Sequence, residues 1–283
     1  MSNNRKILQI LKSKPTIEGA GVRLNRAFAE STLLDPFLLL DDFHSDNPND
    51  YIAGFPWHPH RGIETITYMM YGEVEHGDSM GNSGVIRSGD CQWMTAGSGI
   101  IHQEMPHQKN GLLWGFQLWA NLPASHKMMN PRYQDISKEQ IPEITLNNNS
   151  VKIRVICGEI NQTKGPVQDI VTDPEYLDIT INPKTEFKHL VKQEHTVFAY
   201  VIEGKGYFDE NQEQMISAGH LIIFDGGDEV RVLTTDGDLR FLLISGKPIG
   251  EPVAWRGPIV MNTNEELRIA FEEYHNGTFI KHK

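Results

Sequence analysis

Cysteine is nearly absent: Cys91 and Cys157 are the two in 283 residues. That is too few for the disulfide framework of a small secreted domain, so both are expected as reduced thiols. Long apolar runs are missing as well. Phe37 to Leu40 is among the longest, far below the roughly 20 residues that cross a bilayer, and no membrane partner is expected. Lys12 and Lys14 close off the apolar stretch Ile7 to Leu11, so the opening segment does not read as a signal peptide and a cytoplasmic protein is expected. Basic clusters are also lacking. With 26 Lys and Arg against 37 Asp and Glu, the formal net charge is -11. Direct nucleic-acid binding, which needs a basic surface to neutralise phosphates, is therefore not expected.

What the chain has in quantity is punctuation. Its 25 Gly and 15 Pro separate short runs rich in Val, Ile, Thr, Tyr and Phe, the pattern of strands joined by turns. One region runs as strand Glu64 to Tyr71, a turn at Gly72, strand Gly84 to Arg87, a turn at Gly89 and strand Cys91 to Met94. A second repeats the rhythm from His195 to Ile202, through a turn at Gly204, to Gly219 and the strand Leu221 to Phe224. Two related β units follow from this. The Pro- and Asn-rich stretch 121–150 lies between them, which predicts an N-terminal domain over 1–140 and a C-terminal domain over 141–283. Near the end, Thr263 and Glu266 form a capping box. Leu267, Ala270, Phe271 and Tyr274 then share one face of a helix, and Gly277 can end it. That apolar stripe is expected to dock on a barrel.

The chemistry concentrates in two short motifs. In His58-Pro59-His60 the imidazoles are two residues apart, and an extended backbone points both to one side. His102-Gln103-Glu104 does the same for an imidazole and a carboxylate. Each motif alone is commonly a solvated turn or a hydrogen-bonded pair. Together, on strands that an antiparallel barrel brings side by side, three imidazoles and a carboxylate suit a transition ion; calcium and magnesium prefer oxygen shells.

The motifs and their glycines follow the cupin pattern: Gly54, His58-Pro-His, Glu64 and Gly72, then Gly89 and Thr95-Ala96-Gly97. His102, however, arrives two residues late, and Thr95 stands where a proline is usual. The general pattern names Glu64 as the carboxylate ligand. The late His102 brings its own carboxylate, Glu104. This combination resembles the pirin family, through His58-Pro-His-Arg-Gly-Ile-Glu-Thr65, Gln92-Trp-Met-Thr-Ala-Gly-Ser-Gly-Ile-Ile-His-Gln-Glu-Met105, Gln117-Leu-Trp-Ala-Asn-Leu-Pro123 and Trp255-Arg-Gly-Pro-Ile-Val-Met-Asn-Thr263. The resemblance implies an all-β fold of two cupin-type β-barrels, a bicupin, with a C-terminal helix. It implies His58, His60, His102 and Glu104 as ligands of one mononuclear metal, iron first, with copper, nickel, manganese, cobalt or zinc also compatible with the donor set. Glu64 would then sit off the metal, hydrogen-bonded to a ligand or a neighbouring strand, because an unbroken strand would carry it roughly 13 Å beyond His60.

As activity, the resemblance implies a quercetin 2,3-dioxygenase. Four protein ligands leave about two octahedral positions for a small aromatic chelating substrate and dioxygen, and Glu104 could also take the substrate's hydroxyl proton as the catalytic group. The alternative it implies is a non-enzymatic, redox-sensitive iron protein that binds a protein partner. Offsets from the glycines place Leu190, Lys192, Val232 and Thr234 of the second barrel where the first has its ligands, so one metal per chain is expected. His189 and His195 read as structural or surface histidines. His76 and His107 read as loop residues that could line the pocket mouth, Gln117 as a strand residue able to bond a ligand, and Cys91 as a small buried hydrophobe.

Overall fold

Alternation of side chains decides which face of each strand is buried, and the strand Ile100–His107 shows it cleanly. Ile100, His102, Glu104 and Pro106 are buried, while the residues between them are half-buried, the two-residue period of a strand with one face on a core. The computed structural model describes residues 3–107 and 111–282. Almost every element is a strand, and one α-helix, Asn264–His275, lies near the C-terminus. The fold class is all-β with a closing helix.

Two compact units divide the chain, and both are discontinuous. One comprises 14–138 and 249–282, the other 3–13 and 139–248. The expected break near 140 lies close to the observed one at 138/139, but the contiguous halves 1–140 and 141–283 are not the units, because the terminal segments cross over. Strand Ile7–Lys12 pairs antiparallel with His220–Phe224. Arg5, buried beside it, donates to the carbonyls of Lys192, Gln193, His195 and Asp225. At the other end, the Asp35 carboxylate accepts from the backbone N–H groups of Ile249 and Gly250. The closing helix thus belongs to the first unit. It has the full capping box of Thr263 and Glu266, and Leu267 and Ala270 pack on Ile259, Met261 and Phe279. Phe271 joins them, whereas Tyr274 stays exposed.

In the first unit a seven-stranded sheet runs in the spatial order 132–136, 91–95, 63–71, 113–121, 37–45, 22–29, 14–18. A four-stranded sheet runs 55–60, 100–107, 73–78, 83–87. The strand Glu73–Asp78 has no apolar alternation that would announce it. In the second unit, Thr196–Tyr207 is one long strand that passes through the expected turn at Gly204. Its register shifts between Val201 and Glu203, and Gly204 has φ 74° with the Asp238 carbonyl only 1.9 Å from where a Cβ would be. The bulge falls at Ile202, and just beyond it Gly204 relieves the close approach of two backbones.

Candidate metal centre

The strand that carries His58 and His60 ends on a sheet change. Phe55–His60 belongs to the four-stranded sheet and Ile63–Tyr71 to the seven-stranded one, and the chain turns between them at Arg61-Gly62. Gly62 has φ 77°, and a Cβ there would lie 1.9 Å from the Val260 carbonyl, so only glycine serves. Two buried cations lock the corner. The Arg61 guanidinium donates to the carbonyls of Ser98 and Phe279, pairs with Glu273 at 2.8 Å and lies over the Phe279 ring. The Lys127 ammonium donates to the carbonyls of Gly62 and Val260 and to Asn121 Oδ1, one acceptor for each of its protons. Neither cation has an evident sequence signal as a brace, since all of their partners but Asn121 are distant in the chain.

Strand pairing then gathers the histidines. His102 lies directly opposite His58, and Nε2 of His58 is 3.1 Å from Nε2 of His60 and 3.0 Å from Nε2 of His102. Among the described residues these three form the one cluster of metal-ligand type. Burial pushes the pKa of all three imidazoles down, well down for His60 and His102, which favours the neutral rings that a metal ion would need. His58 Nδ1 lies 2.9 Å from the Pro56 carbonyl and His60 Nδ1 lies 3.0 Å from the Pro258 carbonyl. A carbonyl only accepts, so each Nδ1 carries the proton and each Nε2 is a bare lone pair. A proton on His102 Nε2 can satisfy His58, but the His58 and His60 lone pairs still face each other. A cation resolves this: adjacent positions on an octahedral ion with metal–nitrogen bonds of about 2.1 Å are about 3.0 Å apart. The donor set fits a transition metal.

Glu104 is buried on the same face of its strand, cross-strand from His76. Its Oε1 lies 3.1 Å from the Thr67 hydroxyl, which is also 2.7 Å from the Gln117 amide oxygen. Burial pushes its pKa up to about 7, against the pull of the Thr67 hydrogen bond. Glu104 lines the same cavity as His58 and His60 but is not within the three-histidine cluster.

Glu64 lies past the bend, so the unbroken-strand distance does not apply to it. It sits in the other sheet, its Oε1 accepting from the Thr95 hydroxyl at 2.6 Å. Its pKa is raised by burial and pulled back by hydrogen bonds and by Arg132. His76 is no loop residue: it is buried in Glu73–Asp78 and stacks on Tyr133 at 5.7 Å. His107 ends its strand, paired with Glu75 at 2.8 Å. Cys91 and Cys157 are buried and carry no disulfide.

Beside the histidines opens a cavity of about 610 Å³ whose wall includes Leu24, Leu39, Phe43, Phe55, Trp119 and Trp255. An apolar, aromatic cavity with a few convergent polar groups is the usual form of a small-molecule site. Residues 21–120 match the family model described as Pirin, and residues 176–280 match the model described as Pirin C-terminal cupin domain. The chain belongs to the pirin family. A pirin-like protein of Caulobacter vibrioides is 43% identical over 97% of this chain and 99% of its own length. A Pseudomonas aeruginosa protein provisionally named a quercetin 2,3-dioxygenase is 39% identical over 98% and 99%. The crystal structure of a quercetin 2,3-dioxygenase from Acinetobacter baumannii superposes with a TM-score of 0.89 at 32% identity, covering 98% of this chain and 99% of that one. The chain is accordingly a pirin-family bicupin with two cupin domains. No helix among the described residues is long and apolar enough to cross a membrane.

Proposed function

We propose that the first barrel is a mononuclear metal site that oxygenates a planar aromatic chelator of flavonol type, with His58, His60, His102 and Glu104 as ligands and iron as the working ion. The observation that carries this reading is the pair of bare nitrogens on His58 and His60, 3.1 Å apart, at the edge of an aromatic cavity. The quercetin 2,3-dioxygenase names of similar proteins support the substrate class. A bound redox-capable ion would supply Lewis acidity toward the adjacent oxygens of the chelator and a place for dioxygen.

The chain supplies the rest. The carbonyls of Pro56 and Pro258 fix the tautomers of His58 and His60, the role that partners behind a metal ligand commonly have. Thr67 orients Glu104, whose carboxylate, raised to about 7, is suited to accept the proton of a substrate hydroxyl near neutral pH. The apolar wall excludes water from the ring that reacts. Two buried thiols without a disulfide fit a reducing compartment such as the cytoplasm. The test is an aerobic assay of iron- or copper-loaded protein with quercetin. Loss of flavonol absorbance well above that with free metal, abolished in His58→Ala, is expected. Metal retained at one per chain without turnover would sink the oxygenase and leave a metal-bearing binding protein.

A further inference from the structure

Two indoles form one wall of the cavity beside the metal centre, and they come from the two separate chain segments of the first unit. Trp119, on Leu113–Asn121, presents its ring edge-to-face to His60 at 5.0 Å and 87°. Trp255, on the hairpin of Ala254–Arg256 with Ile259–Met261, lies 6.1 Å from Trp119 at an interplanar angle of 44°. Its indole N–H donates to the Gly257 carbonyl at 2.8 Å, which holds the ring in one orientation. Both rings are only half-buried, although the flanking Leu118, Ala120 and Ala254 are buried. Half-buried indoles lining a cavity offer a flat π surface that a planar ligand can cover.

The same hairpin is tied rigidly to the metal site. Pro258, three residues after Trp255, accepts from His60 Nδ1. Val260 accepts from Lys127 through its carbonyl, and its N–H donates to the Arg61 carbonyl at 3.1 Å. The distance from the metal position to the indole wall is therefore set by one braced piece of backbone, and rigid support of this kind is what makes a site discriminate. Resting on the chelation reading above, we infer that Trp255, with Trp119, selects the substrate: the wall stacks on a ring system extending beyond the chelating ring. Fused or multi-ring hydroxy-ketones are preferred over single-ring chelators with the same metal-binding oxygens.

Quercetin and maltol separate the two parts of this claim, because both chelate through a 3-hydroxy-4-ketone and only quercetin has further rings. Anaerobic calorimetric titration of nickel-loaded protein needs no turnover. Wild type is expected to bind quercetin at least about tenfold tighter than maltol. Trp255→Ala should lose about tenfold in quercetin affinity, the scale of one lost stacking contact, with maltol affinity unchanged within about twofold. Trp255→Phe should recover most of the loss, and Trp255→Leu, which keeps apolar bulk without an aromatic face, should behave like Ala and guards against a folding artefact. Equal losses for both probes, unchanged quercetin binding in Ala and Leu, or no wild-type preference would overturn the wall while leaving chelation standing. Failure of wild type to bind either probe would overturn both readings. Tight quercetin binding without aerobic turnover would sink the oxygenase and support the wall.

Discussion

Both barrels place one pair of antiparallel strands at the same point in their order, yet the inward positions of that pair hold opposite chemistry. In the first, Phe55–His60 and Ile100–His107 set His58 against His102. In the second, Glu186–Leu190 and Glu229–Leu233 set Phe187 against Val232 and His189 against Val230. Phe187, Val230 and Val232 are part of a continuous apolar core, and His189 is satisfied by Glu175 at 2.8 Å. The glycine offsets named Val232 correctly as an inward position of this pair, whereas on the facing strand they named Leu190 and Lys192 in place of Phe187 and His189. Leu190 in fact points out, 67% exposed. One strand pair thus carries either a three-histidine cluster of metal-ligand type or a packing contact. Three imidazoles without an ion leave lone pairs opposed, whereas Phe against Val is complete in itself.

That contrast is sharpest in variants of the facing residues, and one probe separates the barrels: all five tryptophans lie in the first unit. His60→Ala or His102→Ala should drop metal content from one per chain to near zero, with affinity weakened by more than the roughly 10–100-fold typical of losing a partner behind a ligand. Metal analysis reads this, and a far-UV transition of the second barrel displaced as far as the tryptophan transition would break the comparison. Phe187→Ala is the mirror case. It should cost the second barrel about 3–5 kcal/mol, as large-to-small core changes do, while metal stays at one per chain.

The two glutamates test which carboxylate completes the clasp. Glu104→Gln should weaken metal binding about 10-fold or more, and Glu64→Gln should keep the metal and cost about 1 kcal/mol for its altered hydrogen bond to Thr95. Metal lost from the Glu64 variant and retained by the Glu104 variant would reverse the assignment.

How much of this was legible follows from how local each feature is. His58 and His60 could be read as a pair because strand parity acts over two residues, and the capping box of Thr263 and Glu266 because a helix start is encoded within one turn. The crossing of the termini could not. Ile7–Lys12 finds its partner more than 200 residues away, and no local pattern in either strand names the other. The strand holding His76 has no apolar alternation to announce it, because Glu73, Glu75, His76 and Asp78 mimic a polar loop, and only Val74 on its buried face is apolar, His76 and Asp78 standing opposite Glu104 and His102. Pro258 and Trp255 resembled a family segment, but their work on His60 and the cavity is a long-range contact.

Lys127 shows the cost of one such contact. Replacing it by Met removes three hydrogen bonds and leaves the Gly62 and Val260 carbonyls and Asn121 Oδ1 without the ammonium, in a place where water is excluded. A loss of about 3 kcal/mol is expected, the scale of breaking a buried charged network. Tryptophan fluorescence should report the lower melting point in the first barrel. An unchanged midpoint would show that the brace at Gly62 is dispensable.

The smallest expected effect concerns a buried histidine of the second barrel. His195 is buried, with Nδ1 3.5 Å from the Ser245 hydroxyl and Nε2 3.7 Å from Asp173. Burial first, then Lys192, holds its pKa below the ordinary 6.5, against the opposing pull of Asp173, Glu194 and Glu175. The sign follows by linkage. Above 6.5 the ring is neutral in both folded and unfolded chains and pH has no effect through it. As pH falls below 6.5 the unfolded chain takes up a proton that the folded barrel resists, so stability is lost until the lower folded pKa is passed. In metal-loaded protein, lowering the pH from about 7 to about 5.5 should therefore bring the second barrel's far-UV midpoint down by a few degrees at most. His195→Gln, which keeps a polar group of similar reach but cannot titrate, should shrink that shift. An acid shift of equal size in the variant would place the sensitivity elsewhere and remove His195 from the comparison between the two barrels.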